Sequence, residues 1–114
     1  MSARPGVPAP ALFGSKMRTA LLILLAVLEE SYPAELSRYL GTTIASVQRT
    51  LDKLEVEGLI SSRQLAVRRV TLNPSSPVVK ELRALLLRLA EGYAEYQAVR
   101  EARRTRPRRR NKPL

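Results

Sequence analysis

A polar run between residues 42 and 53 carries the side chains best suited to binding a ligand. Hydroxyls and free backbone N–H groups at the start of a helix suit phosphate groups. A glutamine amide can pair with adenine, an arginine with guanine, and a lysine suits a backbone phosphate. These groups are Thr42, Thr43, Ser46, Gln48, Arg49 and Lys53. Their chemistry predicts contact with double-stranded DNA; the alternative is a polar helix face that is only solvated.

A second group of basic side chains lies near the turn of a predicted hairpin and consists of Arg63, Arg68 and Arg69. Such a hairpin can lie against the flanking DNA backbone or in the minor groove. The alternative is that these arginines only face solvent, since every second residue of a strand must point away from the core. Asp52 and Glu55 are expected to face solvent or to form intramolecular ion pairs, because carboxylates repel phosphates.

The residue types that the sequence lacks exclude several kinds of chemistry. The 114 residues include no Cys and no His, which excludes disulfides, zinc fingers, Cys nucleophiles and imidazole catalysis. Metal sensing through those ligands is excluded as well. Asp52 is the only aspartate, and no two ionisable groups form a recognisable acid–base or nucleophile pattern. We therefore predict no catalytic residue, no cofactor, no metal and no enzymatic activity.

The positive charge is concentrated at one end of the chain. The formal net charge is +10, from 20 Lys and Arg against 10 Asp and Glu, and residues 103–112 hold seven of the basic groups and no acid. Such a block repels itself and cannot bury apolar surface, so we predict a disordered basic tail over residues 105–114. It could bind phosphates, an anionic membrane or an acidic protein, or could only aid solubility.

The first part of the chain contains a leader and an apolar run. Residues 1–11 are rich in proline and lack a hydrophobic period, which predicts a disordered leader. The apolar run over residues 20–28 is far shorter than the roughly 20 residues that span a bilayer. It therefore indicates a buried helix rather than a membrane segment or a signal peptide, and we expect a cytoplasmic, nucleoid-associated protein without a membrane partner.

Local start and stop signals predict the helices that must position the polar groups. Ser15 is a suitable N-cap for a first helix over residues 16–30, which is apolar on nearly all sides and should form the centre of the core. Pro33 suits the first position of a short second helix that ends at Gly41.

A third helix is expected over residues 44–57, capped by one of the threonines at positions 42 and 43 and ended by Gly58. Its apolar residues are spaced three and four apart, as the buried face of a helix requires. They are Ile44, Val47, Leu51 and Leu54. The polar groups of the first paragraph lie on the face that this apolar set leaves free.

Two β runs over residues 59–63 and 67–72 predict a tight hairpin after the third helix. The order helix, short helix, Gly–Thr turn, helix, hairpin, helix is that of a winged helix-turn-helix domain, which we assign to residues 12–77. The predicted fold class is therefore mainly α with a small β-hairpin. Two helices joined by a short turn cross steeply, so one projects from the body and fits the major groove of B-DNA.

A long C-terminal helix is predicted over residues 78–104. Its apolar side chains recur every three or four residues for about 22 residues, or roughly 33 Å, which is longer than a compact body of this size covers. A symmetric helix–helix homodimer is the simplest way to cover the outer half. The alternative is a helix that folds back on its own domain, and Gly92 interrupts the stripe. The predicted dimerisation residues are Leu82, Leu85, Leu86, Leu89, Tyr93 and Tyr96.

Residues 12–15, 35–60 and 68–74 resemble the small bacterial and archaeal winged-helix regulators of the arsenic-repressor-like (ArsR-like) group. The run LEVEGLI over residues 54–60 is the most specific part of the resemblance. The resemblance implies sequence-specific DNA binding, usually by a homodimer and usually in repression. It places the base contacts on Thr43, Ser46, Gln48 and Arg49 and the wing on residues 63–69. The chain departs from the group in having no Cys or His for metal sensing and no glycine at the wing tip.

Two functions from different classes follow from these observations. The leading hypothesis is a transcriptional regulator, a repressor in which a homodimer reads a pseudo-palindromic site, the third helix gives specificity and the tail adds salt-dependent affinity. The alternative is an adaptor whose winged helix binds a protein or RNA, since a fold does not fix a function.

Overall fold

A computed structural model describes residues 6–105, with side chains as far as residue 103. Residues 1–5 of the predicted leader and residues 106–114 of the predicted tail lie outside this range. The described chain folds into five helices and one antiparallel hairpin, which confirms the predicted mainly α fold class. In chain order the elements are α1 (Lys16–Leu28), α2 (Pro33–Leu40), α3 (Ile44–Val56), β1 (Ile60–Gln64), β2 (Arg68–Leu72), α4 (Val79–Glu91) and α5 (Ala94–Thr105).

Helix α1 forms the centre of the core, as its apolar sequence predicts. Every side chain from Thr19 to Ala26 is buried, so hydrophobic burial stabilises this helix on all sides. The predicted N-cap is confirmed, because the Ser15 hydroxyl accepts a hydrogen bond of 3.0 Å from the Arg18 N–H. The helix ends at Leu28, two residues earlier than predicted.

Helices α2 and α3 form the predicted helix-turn-helix. Pro33 opens α2, and Gly41 ends it with a left-handed backbone (φ 68°) whose N–H donates to the Ser37 carbonyl. Thr43 caps α3. The Ile44 side chain was expected in the core but is 47% exposed, because the first turn of α3 starts beyond the core and turns this residue toward the hairpin.

One face of the hairpin lies against the core, and the other face points away from it. Ser62 pairs with Val70, and Arg63 pairs with Arg69. Because alternate residues point to opposite faces, Arg68 shares the core-facing side with Val70, whereas Arg63 and Arg69 lie on the other side. Backbone hydrogen bonds of 2.9 and 3.0 Å between Val70 and Ser31 attach the hairpin to the segment between α1 and α2.

The structure differs from the predicted single C-terminal helix, because the chain breaks at Gly92 and Tyr93 into α4 and α5. Helix α5 contacts both α1 and α4. Its Tyr96 ring is fully buried, and the Tyr96 hydroxyl donates a 2.7 Å hydrogen bond to the Pro8 carbonyl. Burial of Tyr96 and Val99 against their own domain favours the break, since one continuous helix would carry both side chains away from α1. The alternative of a helix that folds back is the arrangement seen.

The structure also differs from the predicted leader over residues 7–9. The Val7 N–H donates a 3.1 Å hydrogen bond to the Tyr39 carbonyl, and Ala9 is buried. This segment joins the end of α2 to α5 through Pro8. Hydrophobic periodicity does not reveal this packing, because Val7 and Pro8 form hydrogen bonds with distant elements.

Candidate nucleic-acid interface

The exposed side of α3 carries two basic groups that form no ion pair within the described part of the chain. Val47, Leu51 and Leu54 bury the opposite side of the helix completely. Arg49 and Lys53 are exposed, and neither forms an ion pair with any residue between 6 and 105. Two uncompensated cations one turn apart on a projecting helix can meet two phosphates, or a phosphate and a guanine edge.

The start of α3 is held by its own cap. The Thr43 hydroxyl accepts a 3.1 Å hydrogen bond from the Ser46 N–H, and the Ser46 hydroxyl faces the Met17 sulfur at 3.8 Å. The Thr42 N–H donates to the Ser37 carbonyl at 3.2 Å. These three predicted contact residues therefore shape the turn, and the exposed Thr43 side chain is the one that opens to solvent.

Arg68 joins the hairpin to α3 and is not a free cation. Its Nη1 lies 2.6 Å from Gln48 Oε1 and 3.1 Å from Asp52 Oδ1, and its Nη2 lies 2.9 Å from Glu55 Oε1. Its Nε donates to the Ser62 hydroxyl at 3.0 Å. The Arg68 side chain is only 14% exposed. The structure thus gives this predicted phosphate contact a different place, in a network that fixes the hairpin against α3.

The acids of α3 form ion pairs on both flanks of the helix. Asp52 and Glu55 pair with Arg68, as the ion-pair alternative for these carboxylates anticipated. Beyond the end of α3, Glu57 accepts a 2.6 Å hydrogen bond from Arg18 of α1. Two arginines offset two of these three negative charges. The two positive charges of Arg49 and Lys53 outweigh the one that is left, so the exposed face is positive.

Arg63 and Arg69 lie together on the other face of the hairpin. Their guanidinium groups are 3.6 and 3.9 Å from the Glu30 carboxylate, and the Arg69 guanidinium lies 5.6 Å from the centre of the Tyr32 ring. The Arg63 side chain remains largely exposed. Pairs this open to water are weak, so both arginines can exchange Glu30 for a phosphate.

An ion pair that the sequence did not predict fixes α5 to the domain. Glu35 is 2% exposed and accepts hydrogen bonds from the Ser31 hydroxyl at 2.6 Å and from Arg103 Nη2 at 2.8 Å. Arg103 Nη1 also donates to the Leu28 carbonyl at 3.2 Å, at the end of α1. The sequence places Arg103 in the basic block, because no periodic signal marks a partner 68 residues away.

Most residues of the predicted dimerisation stripe are buried or partly buried within their own domain. Leu86 and Tyr96 are fully buried in the domain itself, so they cannot cover a partner. Leu82, Leu89 and Tyr93 are partly buried against the same core. Only Leu85 of the predicted set is substantially exposed, at 46%. None of the helices within residues 6–105 combines the length and the apolar character needed to cross a membrane.

Comparison with solved structures shows the architecture. The chain has a winged helix-turn-helix fold. A mutant of Lactococcus lactis ZitR superposes with a TM-score of 0.53 at 27% identity, covering 75% of this chain and 59% of that one. A ZitR mutant in complex with DNA superposes with a TM-score of 0.54 at 23% identity, covering 87% of this chain and 68% of the other. The chain thus spans about three fifths of the first ZitR chain.

A sequence profile of bacterial regulatory proteins of the crp family matches residues 34–60. This match contains α2 except for Pro33, the turn, α3 and the first residue of the hairpin. These elements include the helix that carries the exposed basic face. A search of curated proteins by sequence found no match.

Proposed function

We propose that this chain is a DNA-binding transcriptional regulator that places the exposed face of α3 in the major groove and the hairpin against the flanking backbone. One observation carries the proposal: the acids along α3 are paired with Arg68 and Arg18, while Arg49 and Lys53 have no partner within the described residues. This sorting of charge turns a helix of mixed composition into a cationic surface, which is what a polyanion requires.

The similarity of this chain to other proteins also supports the proposal. The crp-family match covers the helix-turn-helix that carries the proposed surface. A matched ZitR structure is a complex with DNA, and it shares the winged fold. In this proposal Thr43 and Lys53 contact phosphates, Arg49 reads a base edge, and Arg63 and Arg69 meet the backbone beside the groove.

The remaining expectations belong to the same proposal. The chain acts as a homodimer on a pseudo-palindromic site, represses transcription, and works in the cytoplasm at the nucleoid. Val78, directly before α4, and Leu85, on the outer side of α4, are exposed apolar residues that such a dimer could bury. The proposed subtype is ArsR-like without metal sensing through Cys or His, since the sequence contains neither.

Selection of bound duplexes from random DNA by the purified full chain tests the proposal. Arg49→Ala should weaken binding to the selected duplex by about 1–3 kcal/mol and relax preference at one base pair, because a bidentate arginine contact contributes about that much. The matched control is Arg88→Ala on α4, which also removes an exposed positive side chain, but one that lies outside the proposed DNA-contact surface. Fluorescence anisotropy gives both affinities.

Two results would contradict the proposal. A chain that retains no duplex at physiological salt fits the adaptor hypothesis instead. Equal losses for Arg49→Ala and Arg88→Ala would mean that the exposed face of α3 is not the contact surface, and that only total charge matters.

A further inference from the structure

We propose that Arg68 fixes the Gln48 amide so that α3 reads a thymine with Gln48 and Ile44 together, rather than an adenine with Gln48 alone. The proposal rests on the DNA-binding function above and names the base that this part of the surface recognises. It also departs from the sequence-based expectation, in which Gln48 pairs with adenine through both ends of its amide.

The orientation of the Gln48 amide follows from its partner. A guanidinium has donors only, so the amide atom 2.6 Å from Arg68 Nη1 is the carbonyl oxygen Oε1. Arg68 is itself held by Asp52, Glu55 and Ser62, and it therefore cannot turn aside to release Gln48. The amide nitrogen Nε2 is left as the group that Gln48 offers to a ligand.

The contact with Arg68 disfavours the usual bidentate pairing of Gln48 with adenine. Bidentate pairing of glutamine with adenine needs Oε1 to accept from N6 and Nε2 to donate to N7. Oε1 has two lone pairs and Arg68 takes one of them, so a second bond, from adenine N6, would have to form beside the guanidinium charge. Adenine then keeps only the bond from Nε2 to N7, and cytosine offers Nε2 no acceptor, whereas thymine O4 and the acceptors of guanine fit this donor.

Ile44 decides between the bases that remain. It lies one turn before Gln48, so the two side chains share one face of α3. Both line a groove of about 370 Å³ between the starts of α2 and α3 and the hairpin, together with Val67 and Arg68. Ile44 is 47% exposed there. An apolar side chain beside a donor matches thymine, which carries a methyl group next to O4, whereas neither adenine nor guanine has a methyl group in the major groove.

Modified bases in the selected duplex test the inference on the unaltered full chain. Each thymine of the half-site is replaced singly by deoxyuridine, which lacks the methyl group, or by 5-methylcytosine, which keeps the methyl group and replaces O4 with a donor. At one thymine we expect about a fourfold loss with deoxyuridine, the value of one buried methyl group. With 5-methylcytosine opposite guanine we expect a loss of about tenfold or more. Replacing the paired adenine by 7-deazaadenine should leave affinity unchanged.

Variants assign the effect to the named side chains. Ile44→Ala should abolish the deoxyuridine effect at that thymine, whereas Val56→Ala, an 88% exposed position at the far end of α3, should preserve it. Arg68→Ala should free Oε1 and create sensitivity to 7-deazaadenine, with thermal unfolding measured alongside. Ile44 is solvent-accessible, so its variant tests the inference even where Arg68→Ala fails to fold.

The outcomes distinguish a failure of the thymine assignment from a failure of the proposed DNA-binding function. A chain that binds its selected duplex but loses affinity with 7-deazaadenine and tolerates deoxyuridine everywhere overturns the thymine assignment alone. An unchanged deoxyuridine effect in Ile44→Ala also overturns it. A chain that selects no duplex overturns the proposed function and this assignment with it.

Discussion

At the scale of single residues, Arg68 shows how one side chain decides what a surface offers. Its single positive charge offsets one of the two negative charges that Asp52 and Glu55 place on the helix, and by holding Gln48 it orients an amide. Arg68→Ala should lower the free energy of unfolding by about 1–2 kcal/mol, because charge-assisted hydrogen bonds are lost from a site that is only partly screened by water. Urea unfolding measures the difference.

The control for this prediction is Arg88→Ala, which breaks an exposed pair with Glu91 at 3.4 Å. Such a pair contributes little to stability, so this variant should unfold with the parent chain. If Arg68→Ala also unfolded with the parent chain, the hairpin would not depend on the Arg68 network.

Tyr96 gives a prediction for the pH dependence of stability. Burial raises the pKa of Tyr96 above its ordinary value, and the nearby Tyr93 and Glu95 add to the shift. The hydroxyl of an unfolded tyrosine ionises near pH 10, whereas the folded chain keeps this proton. The unfolded state therefore binds fewer protons above about pH 10, so stability is complete below that pH and falls as the pH rises beyond it.

Tyr96→Phe should flatten this alkaline loss of stability. At neutral pH it should cost about 1 kcal/mol, because the hydrogen bond to the Pro8 carbonyl is lost. Tyr39→Phe is the control, since it retains Tyr96 and should keep the parent's alkaline slope. Urea unfolding at pH 7, 9, 10 and 11 checks both variants, and equal slopes for Tyr96→Phe and the parent would contradict the assignment.

At the scale of elements, the sequence predicts what local chemistry determines. A cap at Ser15, a proline at position 33 and a left-handed glycine at position 41 act within one turn of the chain, so the first three helices were placed to within two residues. The break after α4 was not predicted, because a stripe of apolar residues has the same spacing whether it meets another copy or folds back. The partners of Arg68 and Arg103 were not predicted either, because each arginine joins elements that are distant in the sequence.

Two glycines at helix ends should respond oppositely to alanine. Gly92 has a right-handed backbone (φ −81°), and an added Cβ would lie 3.5 Å from the Leu89 carbonyl oxygen, an ordinary contact. Gly92→Ala should therefore raise the free energy of unfolding by about 0.4–1 kcal/mol by restricting the unfolded chain. Gly41 has φ 68°, so Gly41→Ala should lower the free energy of unfolding by about 1–2 kcal/mol.

Thermal and urea unfolding of the two glycine variants measure these changes. A destabilised Gly92→Ala would mean that the joint between α4 and α5 needs glycine for more than its backbone geometry. A neutral Gly41→Ala would mean that the turn before α3 can relax without its left-handed residue.

At the scale of the whole molecule, the basic C-terminal block contains one arginine that belongs to the fold and several basic groups with a proposed role in binding. Arg103 belongs to the fold, because it pairs with buried Glu35 and binds the carbonyl at the end of α1. Residues 106–112 add five further basic groups, for which the proposed role is salt-dependent binding to phosphates. The net charge of +10 therefore includes groups with different roles: Arg103 stabilises the domain, and the groups after residue 105 are proposed to bind DNA.

Separate changes at Thr105 and Arg103 should divide these two roles. A chain that ends at Thr105 should keep the parent's free energy of unfolding, yet bind all duplexes more weakly and with a flatter dependence of log affinity on log salt, because fewer counterions are released. Arg103→Ala should do the reverse: it leaves the buried Glu35 without its cation, which costs about 2–3 kcal/mol at a site partly open to water. Its salt slope should stay close to the parent's. Urea unfolding and anisotropy titrations from 50 to about 200 mM salt measure both quantities, and a shortened chain with the parent's salt slope would show that the terminal residues do not contact DNA.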